Sequence, residues 1–569
     1  MALLPTVSKI FTKVLNARLN EWTKRNNIIS DHQAGFREGY CTIDNIFIIR
    51  TIIDRALLKK RGKLYCCFID FRKAFDCVNR QALWYKLHGV GVSGKMIQQL
   101  RSIYSKSKFA IKVNPNEITH YTGSVTGVLQ GCQLSPLLFN IFINDLIDFL
   151  HISDCDSPKI QGHSIHALLF ADDLVMISNS VKGLQRLLDR LEKWCDHWCM
   201  EVNIEKSKAI VYKKNTKLAA DERWHYKNNP IEVVQEFKYL GICLSYNGKW
   251  KKHISRTITS ARTMVAQLSK LSYKCPYLST PLLLRIHDAT MKAAILYGAE
   301  IWGLESCAAQ INGPSTAFFK KMLRLPQSAS NAGTNFYLLR PGTKIDISAE
   351  AIIKSINYWL KIAQLPDHRL VKKCFLFQLE EIQSGRMCWG MKLKTYLEAL
   401  GFGEVWPHGP NDVRLFKREI ETRLARISRT ELAERCSKYI SLTALRVVRM
   451  LVGRADPICD RTVECNPAKR RWCIMTLLSC PGGLVKRTGD SKLCSCCDQE
   501  VENIFIHIVA RCSKIPQKLR ERDDMKRVIE KMNSDPDSAF QTLIHGLFLS
   551  EFRFGLQRCY VKFFNYVKH

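Results

Sequence analysis

Three acidic residues have the types and spacing to do chemistry. Asp70 ends an apolar run at 64–70, and the adjacent pair Asp172-Asp173 lies between two more, at 165–170 and 174–178. Neighbouring carboxylates at the tip of apolar strands repel one another, and a cation or a proton relieves that repulsion. Oxygen donors alone select hard ions, Mg2+ or Mn2+, over zinc. Two such ions about 3.5–4 Å apart can activate an attacking oxygen and stabilise a leaving one in phosphoryl or nucleotidyl transfer. Taken alone, an Asp-Asp pair is usually a solvated turn; the flanking apolar strands weaken that reading. A second constellation lies near the C-terminus, where Cys494, Cys497, His507 and Cys512 have the spacing of a zinc knuckle. Thiolate and imidazole suit Zn2+, and four protein ligands leave no open position, so the site would be structural. Cys496 competes with Cys494 or Cys497 for the register.

These residues need elements to hold them. The run 64–70 reads as a buried strand ending at an Asp, and 165–170 with 174–178 reads as a hairpin with acids at its tip. Helices are predicted over 80–87, 95–104 and 136–150, the last with Ser135 as its N-cap, and over 181–200, where leucines and Trp194 share one face. Short strands at 109–113 and 121–125 flank an Asn-Pro-Asn turn. The result is a mixed α/β core at about 64–212. Val7, Ile10, Phe11, Val14 and Leu15 repeat at helical spacing and predict a structural helix in preference to a cleavable leader. Beyond Gly241 the pattern turns helical and basic, over 253–271, 280–297, 349–365 and 413–449, with looser stretches at 326–348 and 402–412.

Composition bounds the rest. With 569 residues, 46% of them hydrophobic, the chain can bury several packed units, which excludes disorder as its main state. No uninterrupted apolar stretch of transmembrane length occurs, so no membrane partner is expected. The 23 cysteines are not arranged as a dense secreted framework, which predicts an intracellular protein, nuclear or cytoplasmic. A formal net charge of +34 points to a polyanion. Only the block 151–200, which contains Asp172 and Asp173, has more acids than bases among the fifty-residue blocks.

The ordered company of the acids identifies a resemblance. Gln33-Ala34-Gly35-Phe36-Arg37-Glu38-Gly39, Phe68 to Asp76, Gly127 to Pro136 with Leu138-Phe139-Asn140, Phe170-Ala171-Asp172-Asp173, Asn203 with Lys206-Ser207-Lys208, and Phe237 to Gly241 follow one another. In that order they resemble the motifs of reverse transcriptases of non-LTR (LINE-like) retrotransposons. The resemblance covers most of the first 300 residues.

It implies a right-hand polymerase: an α/β (α+β) fingers and palm with an antiparallel palm sheet, a helical thumb, and a mostly helical C-terminal region with a zinc knuckle. The implied segments are partial fingers at 1–63, palm at 64–235, and primer grip with thumb at 236–330. A basic helical region at 331–485, a zinc-knuckle-like segment at 486–516 and a helical tail at 517–569 would follow. Asp70, Asp172 and Asp173 would hold two Mg2+ or Mn2+ ions, and Lys206 or Lys208 would assist pyrophosphate departure. Phe75 would exclude the 2′-hydroxyl, Gln130 and Gly131 would line the nucleotide pocket, and Arg37 would face the triphosphate. Tyr239, Leu240 and Gly241 would support the primer. The partners implied are an RNA template, a DNA primer or target DNA, and deoxynucleotides; nothing in the residues speaks to oligomeric state. The chain opens at a segment, Leu3 to Phe11, similar to the middle of the family's fingers. An N-terminally truncated polymerase without an endonuclease is therefore expected, its activity impaired if the missing fingers matter. A repurposed nucleic-acid-binding protein and an RNA-dependent RNA polymerase are the rival readings, the latter opposed by Phe75.

Overall fold

A computed structural model describes residues 5–437 except 111, 115–116, 124, 152–155, 215–216, 275–279 and 323–345, together with 485–488, 491–494 and 499. The described chain separates into two compact units. The first takes residues up to 253 and two later returns, 300–305 and 355–409; the second takes the described parts of 254–299, 306–354 and the chain from 410 on.

The first unit begins with α1 (Thr6–Arg25), then α2 (Thr42–Leu58), β1 (Lys63–Ile69), α3 (Arg80–Gly89) and α4 (Gly94–Lys106). Four short strands follow, β2 (Lys108–Phe109), β3 (Lys112–Asn114), β4 (Glu117–Ile118) and β5 (Thr122–Gly123), paired β2 with β5 and β3 with β4. Then come α5 (Ser135–Ile143), α6 (Asp145–Leu150), the β6–β7 pair (Lys159–Ile160 and His163–Ser164), β8 (Ala167–Phe170), β9 (Asp173–Ser178) and α7 (Val181–Trp198). Strands β10 (Lys208–Lys213), β11 (Trp224–Tyr226), β12 (Asn229–Val233), β13 (Glu236–Tyr239) and β14 (Ile242–Ser245) complete the set. Helix starts are capped where short polar side chains precede them: the Asn79 side chain accepts from the backbone N–H of Gln81 and Ala82, and Ser180 accepts from that of Gly183.

One sheet runs β11-β12-β10-β1-β9-β8. Its ladders are antiparallel except one: β10 and β12 are parallel, because the β11–β12 hairpin turns the chain before it rejoins β10. The expected antiparallel sheet thus carries one parallel ladder. Side chains alternate along β1, so Tyr65, Cys67 and Ile69 join a core with Leu184, Leu188 and Leu191 of α7 and Phe139 and Phe142 of α5. Helix α2 packs on the sheet as well and is buried nearly all round, Ile46, Ile49 and Ile52 on one side and Phe47 and Thr51 on another. The second cover comes from residues far along the chain. Phe47 packs edge-on against Tyr358 and Trp389, and Thr51 accepts a hydrogen bond from Gln378.

Charged side chains staple this layer and, separately, the core beneath α7. Asp44, 1% exposed, accepts from the Tyr358 hydroxyl at 3.0 Å and pairs with Lys361 at 3.3 Å and Arg369 at 3.6 Å. Lys86 donates to Asp145 at 2.7 Å and to the Phe142 carbonyl at 2.6 Å, with the Trp198 ring 3.8 Å from its ammonium.

Local expectations are corrected at three places. Helix α1 forms, but Val7, Ile10, Phe11 and Val14 are exposed and only Leu15 and Leu19 of its apolar residues are buried, because the face it turns inward is the stripe Thr12, Leu15, Leu19 and Thr23. The predicted 136–150 helix is two pieces meeting at Asn144, whose side chain bonds the backbone of Ile28 and Ser30. Ser135 is not the cap: it lies within the first turn, and its hydroxyl donates to the Leu129 carbonyl at 2.6 Å.

The second unit is helical in its described parts apart from one strand pair, Val485–Thr488 with Ser491–Cys494. Lys251–Lys274 is a long helix that begins in the first unit; it buries Ile254, Ala261 and Val265 and exposes Arg256, Arg262 and Lys270. The predicted 280–297 helix is Thr280–His287 followed by a π segment, Asp288–Lys292, and a short helical turn, Ala293–Ile295. Within the unit, His287 bonds the Ser315 hydroxyl at 2.8 Å and Lys292 pairs with Glu350. The helix Val413–Ser437 accounts for the described part of the predicted 413–449 helix. No helix among the described residues is long and apolar enough to cross a membrane.

Candidate active site

Strand registry brings the three acids together. Asp70 follows the last residue of β1, and Ile69 faces Leu174 across the β1–β9 ladder. Phe170 pairs with Asp173, so Ala171 and Asp172 are the two-residue turn at that same end of the sheet. Ala171 has a left-handed backbone, φ 57°, which closes so tight a turn.

Electrostatics mark the cluster. Burial first, then Asp172 and Asp70, push the Asp173 carboxyl up to about 6. Burial raises Asp172 too, with Asp70 adding to the effect. Asp173 is nevertheless open to solvent on one side, and Asp172 less so. Burial is the leading cause for both, and repulsion among the like charges adds to it. The Lys206 ammonium lies 3.7 Å from Asp70 and supplies a counter-charge. Lys208 faces elsewhere: it is paired with Glu232 at 2.6 Å. Of the two lysines, only Lys206 meets the acids.

The loop carrying Lys206 is itself tied to Asp70. The Asp70 backbone N–H donates to the Ser207 hydroxyl at 3.1 Å, its carbonyl accepts from Asn203 at 2.8 Å, and the Ser207 hydroxyl donates to the Asn203 carbonyl at 2.8 Å. Ser207 is fully buried. Among the described residues, no three His, Cys, Asp or Glu side chains are gathered into a ready-made metal cage. The donor chemistry still fits hard ions: three carboxylates, mutually repelling and partly exposed, have no nitrogen or sulfur donor among them.

Phe75 stacks on the buried Phe139 ring at 4.4 Å, and Phe36 meets it edge-on at 6.2 Å. Gly127, φ 77°, lets the following segment lie close: a Cβ there would meet the Asp76 backbone at 2.7 Å. Val128 N–H donates to the Phe75 carbonyl, and the Gln130 side chain to Asp76 at 3.0 Å, so Phe75, Gln130 and Gly131 share one neighbourhood. Arg37 is committed to protein groups: it donates to the carbonyls of Ser30 and Gln33 and lies 4.0 Å over the Tyr40 ring, which Arg369 also approaches at 3.4 Å.

Leu240 and Gly241, both with positive φ, form the turn of the β13–β14 hairpin, and Tyr239 is the last residue of its first strand. Phe237 stacks on Phe68 of β1 at 4.5 Å, which seats the hairpin on the sheet. Asn45 bridges the Leu169 carbonyl at 3.0 Å and the Tyr239 hydroxyl at 3.5 Å. Gln33, Asn45, Asn140 and Ser207 were not singled out by residue type or charge; the signal available for them was their place inside or beside the ordered motifs. Of the proposed zinc ligands, Cys497, His507 and Cys512 lie outside the described residues, and of Cys494 only its backbone is described, in the strand Ser491–Cys494 paired with Val485–Thr488.

Residues 1–244 match the family model described as reverse transcriptase (RNA-dependent DNA polymerase). The chain is 27% identical over 312 residues to a probable RNA-directed DNA polymerase from transposon X-element of Drosophila melanogaster, covering 53% of this chain and 33% of the relative. It is 25% identical over 315 residues to the RNA-directed DNA polymerase from mobile element jockey of the same species, with the same coverage. The match thus spans about a third of the length of these relatives. A structure of apo telomerase from Candida Tropicalis is similar over 64% of this chain and 60% of that one, at 14% identity and a TM-score of 0.32. Over its first 244 residues this chain is thus similar to reverse transcriptases, and over about half its length to the RNA-directed DNA polymerases of such mobile elements.

Proposed function

We propose that this chain is the RNA-directed DNA polymerase of a non-LTR retrotransposon, joining deoxynucleotides to a primer 3′-hydroxyl on an RNA template. The observation that carries the reading is the meeting of Asp70 with Asp172 and Asp173 at one end of adjacent strands, with Lys206 3.7 Å from Asp70. Asp70, Asp172 and Asp173 would hold two Mg2+ or Mn2+ ions, which when bound neutralise charge on the attacking and leaving oxygens. The sheet would be the palm, the β13–β14 turn at Leu240-Gly241 the primer support, and the exposed bases of Lys251–Lys274 a phosphate-binding thumb surface. Lys206, already beside the carboxylates, would give the departing pyrophosphate a positive charge to leave against. Phe75, rigid on Phe139, would meet the sugar and reject a 2′-hydroxyl by collision. Gln130 and Gly131 would line the nucleotide pocket; Arg37 would reach a triphosphate only by giving up its carbonyl partners. Structural Zn2+ on Cys494, Cys497, His507 and Cys512 is part of the same proposal.

The test is extension of a DNA primer on a homopolymer RNA template with labelled dTTP and Mg2+. Incorporation that disappears in Asp172→Ala supports the reading. Tight template–primer binding without incorporation by the unaltered chain refutes it in favour of a nucleic-acid-binding protein. Less than one equivalent of zinc in folded protein rejects the knuckle.

A further inference from the structure

The turn that carries Asp172 is held from outside its own hairpin. The segment around Gln33 lies along β8 as an extra edge partner: Leu169 N–H donates to the His32 carbonyl at 2.8 Å, and Ala34 N–H donates to the Leu169 carbonyl at 2.9 Å. From that edge the Gln33 side chain, 0% exposed, reaches the turn itself. Its Oε1 accepts from the Ala171 N–H at 2.9 Å and from the Gly35 N–H at 2.8 Å, and its Nε2 donates to the Ala171 carbonyl at 3.0 Å. Both backbone polar groups of Ala171 are thus satisfied by one carboxamide. Gly35 is required by the closeness of the approach, because a Cβ there would lie 2.2 Å from the Ala171 nitrogen. The buried Asn140 of α5 locks the far side by donating to the Gly35 carbonyl at 2.8 Å.

A left-handed backbone is unfavourable for a residue with a Cβ, so Ala171 needs something to hold it there. We propose that Gln33 is a positioning residue: its buried carboxamide fixes Ala171 in the left-handed conformation and so aims the carboxylates of Asp172 and Asp173. The proposal rests on the polymerase reading for its kinetic consequence, not for the clamp itself. Gln33 touches no reacting atom. It acts through the backbone of the residue before the acids, and loss of its two-sided grip lets the turn relax.

Two arms test it on the full chain. In metal-free protein, amide hydrogen exchange over the peptide 168–175 is compared between the unaltered chain and Gln33→Met, which keeps the volume and removes all three bonds. Exchange in that peptide should accelerate at least tenfold while the α7 peptide 184–195 is unchanged. The kinetic arm measures single-turnover incorporation: a rate loss of roughly 100-fold is expected, with the apparent dNTP and template–primer affinities within threefold. The double variant Gln33→Met with Ala171→Gly should recover part of the rate, because glycine adopts positive φ without a clamp. Unchanged turn exchange in Gln33→Met refutes the clamp. Accelerated exchange with an unchanged rate, or a double variant no faster than the single one, refutes positioning through Ala171. If Gln33→Met does not fold, the unaltered chain decides: exchange of the 168–175 peptide as fast as an unprotected turn refutes the clamp. An unaltered chain that incorporates nothing overturns the polymerase reading, and the exchange arm then judges the clamp alone.

Discussion

Removing one charge from the acid cluster should make the metal-free protein more stable and abolish the proposed polymerase activity. Asp173 is harder to ionise in the folded chain, at about 6, than at its ordinary 3.8. Below pH 3.8 the carboxyl is neutral whether the chain is folded or not, and it costs nothing. As pH rises from 3.8 towards 6 the unfolded chain ionises first, so stability falls, and above pH 6 the full penalty applies. The difference at roughly 1.4 kcal/mol per pH unit sets a ceiling of about 3 kcal/mol. Because Asp173 is open to solvent on one side, screening reduces this to about 1 kcal/mol. Asp173→Asn, in EDTA at pH 8, should therefore melt on the order of 2 °C higher than the unaltered chain. At pH 4 the two should melt together. Millimolar Mg2+ should raise the melting temperature of the unaltered chain and leave the variant nearly unmoved, since an ion that binds only the folded state stabilises it. A variant less stable than the parent at pH 8, or a difference that persists at pH 4, would refute the burial and like-charge repulsion that raise Asp173.

Three further outcomes follow from the packing. Phe75→Val should lower discrimination against ribonucleotides by roughly tenfold or more in primer extension, and lose about 2 kcal/mol of stability with the Phe139 stack; unaltered sugar selectivity would sink the steric role. His253 is held down to about 4 by burial, and its Nδ1 accepts the Cys243 N–H at 3.3 Å. The unfolded chain protonates it near 6.5 and the folded chain does not, so it should contribute about 3 kcal/mol to the loss as pH falls from 6.5 to 4; urea midpoints of His253→Gln should fall less steeply, the buried His32 keeping its own share. Asp44→Ala should cost about 3–5 kcal/mol by urea denaturation, because it leaves Lys361 and Arg369 without their buried partner, while Asp44→Asn costs less.

Much of the core that carries the acids was legible in the residues because its signals are local. Apolar runs of strand length predict β1, β8 and β9 within a residue or two, and the leucine period predicts α7. The acids stand out by charge and adjacency. Helix α1 shows where such signals stop: Val7, Ile10, Phe11 and Val14 have helical spacing, yet periodicity says that a face is apolar and not what covers it. The same limit hides the return of 355–409 onto α2. Nothing in the run of α2 tells that its second face meets Tyr358 and Trp389, some three hundred residues on.

By itself the sequence determined which groups could do the chemistry, their order along the chain and the strands and helices that carry them, since these follow from side-chain type and from periods of two and 3.6 residues. Only the tertiary structure decided which of those groups meet. It set Lys206 beside Asp70 while turning Lys208 to Glu232, occupied Arg37 with carbonyls, and brought Gln33 across 138 residues to the turn before Asp172. The physical reason is that ladder register, a left-handed turn residue and a buried carboxamide's partners are non-local. Each is fixed by a hydrogen bond or a close approach between segments whose separation along the chain leaves no mark in either segment alone.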